Sequence, residues 1–305
     1  MPRSRVVVLG DLVADLIVRL REPLAHRSDT RARITALPGG SGASQAAWLG
    51  WTGRHEVHFV TRLGDDPFSH LNVADLQRWG VTVHGSVEMG APTGLVVSLV
   101  EPGGERSMLT DRGANLSLRP EHVPSDLFEP GHHLHLSGYL LLYQETRAAA
   151  LHALELAHAA GMTTSIDPGA ASLVARVGAK RVLEWTVGTS LCIANLDEAR
   201  ALAQVSDLGA ETVASRLARH FPEVVVKLGG AGAIWLGSGA EAVHRPAVAA
   251  AEVLDTTGAG DAFCGGFLAA WLDRLSPAEA LTEGNRLGSL CVTHVGARPQ
   301  RERVD

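Results

Sequence analysis

Short β-branched runs and Ala/Leu-rich stretches alternate along the sequence, and that alternation leaves few folds open. VVVLG (6–10) reads as a buried strand, being apolar without a break. SGASQAAWLGWTG (41–53) reads as a helix with a glycine stop, and HEVHFVTRLG (55–64) as the next strand. The pattern continues with a helix over 67–80, a strand over 132–141, a helix over 146–161 and a strand over 163–167. Strands over 190–195 and 223–229 follow, and then a helix over 262–275 whose glycine pair lets another element pack closely. Strands alternating with helices imply an α/β fold with a mostly parallel sheet covered on both faces. Segments 12–37 and 88–112 break the pattern, because they read as β without helices. Within the second, Pro102-Gly103-Gly104 separates two strand-like arms, a hairpin signal. Two such insertions predict one small β-sheet acting as a lid over the C-terminal strand ends, where α/β sheets bind ligands. With no internal repeat and no linker, residues 1–305 read as a single domain.

Composition narrows the function. The chain has 305 residues, 46% hydrophobic and 20% charged, as expected for an ordinary globular protein. A net charge of -6 argues against nucleic acid as a partner, because phosphate binding needs clustered positive charge. Only Lys180 and Lys227 supply ammonium groups. Cys192, Cys264 and Cys291 lack metal-ligand spacing, which suits reduced thiols and a cytoplasmic location. No apolar run reaches membrane-spanning length, and MPRSR leaves no room for a leader before the first strand. His132, His133 and His135 alternate along a strand and read as structural rather than metal-ligating.

The chemistry-bearing stretch is DTTGAGDAF (255–263). Gly258, Ala259 and Gly260 present successive backbone N–H groups at a helix start, a natural anion hole. Asp261 follows at once, either as a helix-dipole partner or as a catalyst. Phosphoryl transfer needs an anion cradle and a nearby carboxylate, and this run supplies both. GxxxxGK[ST], GxGxxG after the first strand, HExxH and GxSxG are all missing, which leaves a nicotinamide oxidoreductase poorly supported.

DTTGAGDAF resembles the signature of the ribokinase-like carbohydrate kinases, the PfkB family. Further segments are similar to the family in order: PGGSGASQAA (38–47), RLGDDPFSHLNVADLQRWGV (62–81), TG (93–94), GER (104–106), GAN (113–115), LSGY (136–139), NLDE (195–198), VVVKLGGAGA (224–233) and GAR (296–298). The resemblance implies a three-layer α/β/α fold and a kinase using ATP and Mg²⁺. It implies Asp261 as general base, with Gly258, Ala259 and Gly260 as the anion hole. Asn195 and Glu198 would organise Mg²⁺ and phosphates through water, where the plain alternatives are a strand-end cap and a solvated helix face. Lys227, Gly229 and Gly232 would border the nucleotide, and Asn285 would lie near the adenine. Asp255 and Thr257 resemble the ligands of a monovalent-cation site, implying K⁺.

The acceptor is expected to be a small molecule, a sugar or a nucleoside. Asp15 aligns with a family acid that holds sugar hydroxyls, and its alternative is an ordinary surface acid. Gly39 and Gly40 would let the sugar approach the backbone. Ribokinase itself has GGKGANQA where this chain has GGSGASQA, so Ser41 and Ser44 replace long polar groups, and Val13 replaces an asparagine. Losing donors changes which hydroxyls a site accepts, so ribose is doubtful. Asp167-Pro168-Gly169 lacks the DxNxR pattern of fructokinases and ketodeoxygluconate kinases. Arg106, in the lid hairpin, reads as a solvated arginine. A non-catalytic sugar or nucleotide sensor is the competing function, and the exposed flap edge offers a surface for a homodimer.

Overall fold

Apolar runs buried on both faces need a layer above and below, and the helices supply both. The computed structural model describes residues 4–103 and 105–300; Gly104 and the Arg106 side chain, named above, lie outside them. In chain order the elements begin with β1 (Arg5–Leu9), β2 (Val13–Leu20), β3 (Ala32–Gly39), α1 (Ser41–Trp51), β4 (Glu56–Gly64) and α2 (Pro67–Arg78). They continue with β5 (Val81–Glu88), β6 (Gly94–Val100), β7 (Arg106–Asp111), β8 (His133–Ser137), α3 (Tyr139–Leu142), α4 (Gln144–Ala159) and β9 (Thr163–Asp167). Next come α5 (Ala171–Val177), α6 (Ala179–Trp185), β10 (Leu191–Asn195), α7 (Leu196–Ala203), α8 (Ala210–Leu217) and β11 (Glu223–Lys227). The chain ends with β12 (Ala233–Gly237), β13 (Val243–Arg245), α9 (Ala259–Leu272) and α10 (Pro277–Cys291).

The main sheet runs β13-β12-β11-β10-β9-β8-β1-β4-β5. From β11 to β5 every pair is parallel; β12 and β13 extend it antiparallel. Val6 and Val8 pack into one apolar cluster with α1 and α9, and Val7 and Leu9 into another with α4. This alternation along Val6 to Leu9, all 0% exposed, makes the sheet the middle of three layers. Each such side chain contributes about 1.5–3 kcal/mol by leaving water.

The chain runs from β1 to β4 and β5 on one side, then returns to β8 on the other. The strand order therefore reverses between β1 and β8, and a ligand crevice belongs outside their C-terminal ends. The lid starts there, because β2 follows β1 after only Gly10-Asp11-Leu12. Its four strands run β3-β2-β6-β7, with Val13 opposite Gly39 and Gly94. β6 and β7 form the expected antiparallel hairpin.

Two elements differ from the sequence expectation by three residues or more. The strand expected to reach 141 stops at Ser137, and α3 follows. Gly138 lies against the backbone of Pro168, where a Cβ would come within 2.5 Å, so the chain turns at that point. The helix expected from 262 starts at Ala259, which puts Asp261 in its first turn. The α9 glycine pair serves two neighbours: a Cβ on Gly265 would lie 2.7 Å from Trp48 Cβ, and one on Gly266 2.9 Å from the Glu283 carbonyl.

Candidate active site

The α9 start is built around Gly258. Its φ of 77° is left-handed, and a Cβ there would lie 2.4 Å from Ala297 Cα. Glycine alone fits both demands. The first turn of a helix leaves backbone N–H groups without intrahelical partners; here the Ala259 amide donates to the Thr256 carbonyl at 3.3 Å, beside the Gly258 and Gly260 amides at the positive end of the helix dipole. Lys227 lies beneath it, its Nζ 3.5 Å from where a Gly260 Cβ would be.

Asp261 Oδ1 accepts hydrogen bonds from Ser41 Oγ at 2.7 Å and Gln45 Nε2 at 2.9 Å. Burial, and then the nearby Asp167 carboxylate, push the Asp261 carboxyl up to about 7, against the Ser41 hydrogen bond and the Lys227 charge. Lys227 Nζ pairs with Asp167 Oδ2 at 2.8 Å, their side chains 11% and 6% exposed. Burial works against the Lys227 charge, but Asp167 and Glu198 outweigh it and hold the proton on. Asn195 and Glu198 form a capping box on α7: Glu198 N donates to Asn195 Oδ1 at 2.9 Å, and Asn195 N to Glu198 Oε2 at 2.8 Å. Asn195 is thus a cap, while Glu198 is buried rather than solvated. Burial and Asp167 push the Glu198 carboxyl up to about 8.

Two cavities meet at the 258–261 turn. A groove of about 600 Å³ is lined by Lys227, Gly229, Gly232, Gly260, Phe263 and Asn285. Asn285 Nδ2 donates to the carbonyls of Arg245 and Pro246, at 3.1 and 3.0 Å, so its amide shapes the loop wall. A smaller cavity of about 180 Å³ is lined by Asp15, Gly40, Ser44, Arg112, Tyr139 and Asp261. Asp15 covers Gly39, where a Cβ would come within 2.3 Å of its carboxylate. Burial pushes the Asp15 carboxyl up to about 6, against the Arg298 charge. Gly40 has φ 90° and turns tightly against the Asp11 carbonyl. The Ser44 hydroxyl is buried without a hydrogen-bond partner among the described residues.

Asp255 and Thr257 lie behind the turn. Asp255 Oδ1 accepts from Thr257 Oγ1 at 2.8 Å, and Oδ2 from Gly296 N at 3.2 Å. The GAR segment borders the smaller cavity rather than the groove: Ala297 lines it, and Arg298 Nη2 donates to the Gly39 carbonyl at 2.8 Å.

Several site residues carried no role in the sequence reading. Asp11 pairs with Arg112 at 2.6 Å, and that guanidinium lies 4.4 Å over the Tyr139 ring. Asp167 pairs with Lys227, and Gln45 holds Asp261. The available signal was position, since Asp11, Tyr139 and Asp167 all sit at or just past C-terminal strand ends. Among the described residues no group of three His, Cys, Asp or Glu side chains converges on a metal position, and no helix is long and apolar enough to cross a membrane.

The family model for pfkB family carbohydrate kinases matches residues 3–303. The chain is 31% identical to the ATP-dependent ribose-1-phosphate kinase of Halopiger xanaduensis, over 96% of this chain and 94% of that protein. The structure of adenosine kinase from Sinorhizobium meliloti superposes with a TM-score of 0.87 at 26% identity, covering 98% of this chain and 97% of that one. Arabidopsis thaliana ribokinase complexed with ribose and ATP gives a TM-score of 0.78 at 25% identity, covering 97% and 94%. With this sheet, this lid and this glycine-acid turn, the chain belongs to the pfkB family of carbohydrate kinases.

Proposed function

We propose that the protein transfers the γ-phosphoryl group of ATP to a hydroxymethyl group of a sugar or nucleoside, with Asp261 as general base. The observation that carries this is the shared wall: the 258–261 turn borders both the large groove and the small cavity. ATP fits the groove by size, by its glycine-lined rim and by the Lys227 ammonium at its inner end. Asp261 Oδ1 is held by Ser41 and Gln45, while Oδ2 has no hydrogen bond among the described residues and is the oxygen available to an acceptor hydroxyl. The amides of Gly258 to Gly260 and the Lys227 charge stabilise negative charge on the transferring group. The lid keeps water from taking the acceptor's place.

Mg²⁺ is proposed beside the Lys227–Asp167 pair, held with the nucleotide phosphates rather than by a ready-made set of carboxylates. Bound there, it would neutralise phosphate charge. Asn195 and Glu198 would hold it through water, since their own side chains are tied to each other. Asp255 and Thr257 are proposed to hold K⁺ behind the turn. The acceptor is proposed to lie between Asp15, Gly39, Gly40 and Ser44, below the apolar lid residues Val13, Val96 and Met108. Asn285 would shape the wall near the adenine. Three buried free cysteines suit a reducing cytoplasm. Two copies are proposed to pair through the outer face of the lid.

The test is ADP formation across a panel of sugars and nucleosides, with wild type and Asp261→Asn. The expected result is turnover with at least one acceptor, lowered ~10²–10⁴-fold in Asp261→Asn with ATP binding kept. Near-normal turnover in that variant removes the base. Binding without turnover in wild type favours a sensor.

A further inference from the structure

Two histidines buried in the main sheet play no part in the chemistry above. His133 and His135 share one face of β8, opposite Thr163 and Ser165 of β9. His135 Nε2 lies 2.9 Å from Gln45 Oε1, and its Nδ1 2.7 Å from Ser165 Oγ. His133 Nε2 lies 2.7 Å from the same Ser165 Oγ, and its Nδ1 2.8 Å from Thr163 Oγ1. Cys264 Sγ, 3.6 Å from His135 Nε2, is the longer and weaker contact. Gln45 Nε2 completes the series on Asp261 Oδ1 at 2.9 Å.

Chemistry fixes the direction of this chain. An ionised carboxylate only accepts, so Gln45 turns its nitrogen to Asp261 and its carbonyl oxygen to His135. His135 then carries its proton on Nε2, which leaves Nδ1 to accept from the Ser165 hydroxyl. The Ser165 oxygen accepts from His133 Nε2–H, and His133 Nδ1 accepts from Thr163. Every hydrogen bond therefore donates toward Asp261. Burial pushes both imidazoles down, His135 to about 4, so each stays neutral with one proton, as the chain requires. Aligned bonds in a low-dielectric core polarise one another. A chain built only to satisfy the sheet core could end on a backbone group; this one ends on the acid. The Gln45 amide is a poor proton relay, so the chain orients and does not conduct.

We propose that Gln45, anchored by His135, is the positioning residue of the base: it pins Oδ1 of Asp261 and so assigns proton acceptance to Oδ2. This rests on the reading of Asp261 as general base. Ser41 shares the task on the same oxygen.

The test compares wild type, Gln45→Met, His135→Gln and His135→Leu, by steady-state kinetics and by carbon NMR titration of the Asp261 carboxyl. Gln45→Met keeps length and removes the donor. Losing a hydrogen bond to the charged form raises the carboxyl pKa, by about one pH unit. Expected with it are a ~10–100-fold lower kcat and an ATP KM within about twofold. His135→Gln, which retains a side-chain N–H, should keep more kcat than His135→Leu. Gln45→Met with wild-type kcat and an unmoved titration overturns the proposal, and so does a raised KM at unchanged kcat. Should Gln45→Met not fold, equal kcat in the two His135 variants overturns it. Wild-type turnover that Asp261→Asn abolishes, beside an unaffected Gln45→Met, defeats this inference alone. Absence of turnover in wild type with every acceptor defeats the reading of Asp261 with it.

Discussion

A base must be ionised to act, and the burial of Asp261 opposes its ionisation more than Ser41 and Lys227 favour it. Burial and the Asp167 charge lift its carboxyl from 3.8 to about 7. The acid limb of kcat/KM, which reports the free enzyme, should therefore rise through about pH 7 and level off above it, losing roughly tenfold for each pH unit below. Measuring kcat/KM for the acceptor from acid to mildly alkaline pH checks this; a value that is flat down to about pH 5.5 would contradict it. Stability runs the other way. The folded pKa lies above the unfolded 3.8, so between about 3.8 and 7 the native state binds more protons, and this group's contribution to stability falls as pH rises through that window. Lys227→Met should push the acid limb higher still. It also strands the buried Asp167, at a cost of about 3–5 kcal/mol, readable in denaturant unfolding.

Elements place these residues by bringing two loops together behind α9. The backbone amides of Leu254 and Asp255 both donate to the Val292 carbonyl, and Cys291 Sγ reaches the Thr257 carbonyl. The Gly258 corner rests on this contact, so a cation at Asp255 and Thr257 would tune the anion hole without touching substrate. Exchanging sodium for potassium buffer should raise kcat severalfold, with an effect of about 1 kcal/mol on the barrier; equal turnover in both buffers removes the cation. The same loops explain what was readable in sequence. Gly258, Gly260 and Asp261 stand within one short run, so their spacing announced them. Asp167 meets Lys227 from 60 residues away and Arg112 meets Asp11 from 101, and only the parallel sheet makes those distances short. Asn195 and Glu198 were visible as a motif, but a capping box and a phosphate motif use the same letters, and the helix start takes both side chains. α10 escaped notice although Ser276 and Glu279 spell its own capping box. The alternating histidines announced a strand face; that Gln45 would read one of their rings depends on the packing of α1 against the sheet.

At the scale of the molecule the lid has two faces with different chemistry. Strand alternation sends Val13, Asp15, Val96, Ser98, Met108 and Thr110 toward the small cavity. The alternate positions carry Val18, Ile34, Val97, Leu99 and Leu109 outward, with Ile34 at 65% and Leu109 at 63% exposure. A four-stranded sheet with an apolar outer face, and with β3 and β7 as open edges, is costly to leave in water. A second copy offers the same apolar face and can cover it isologously. Ile34→Glu and Leu109→Glu load that face with charge without changing a residue that lines the cavity. The wild type is expected to sediment as a dimer and each variant as a monomer. A lid that has lost its outer support should close less often, so acceptor KM should rise several-fold while ATP binding holds. The two readings are linked: monomeric variants with unchanged acceptor KM would leave the dimer and remove its role in closure. A wild type that sediments as a monomer at micromolar concentration would remove the dimer, and would leave the outer face as a cost the fold bears to keep its inner face in register over Asp261.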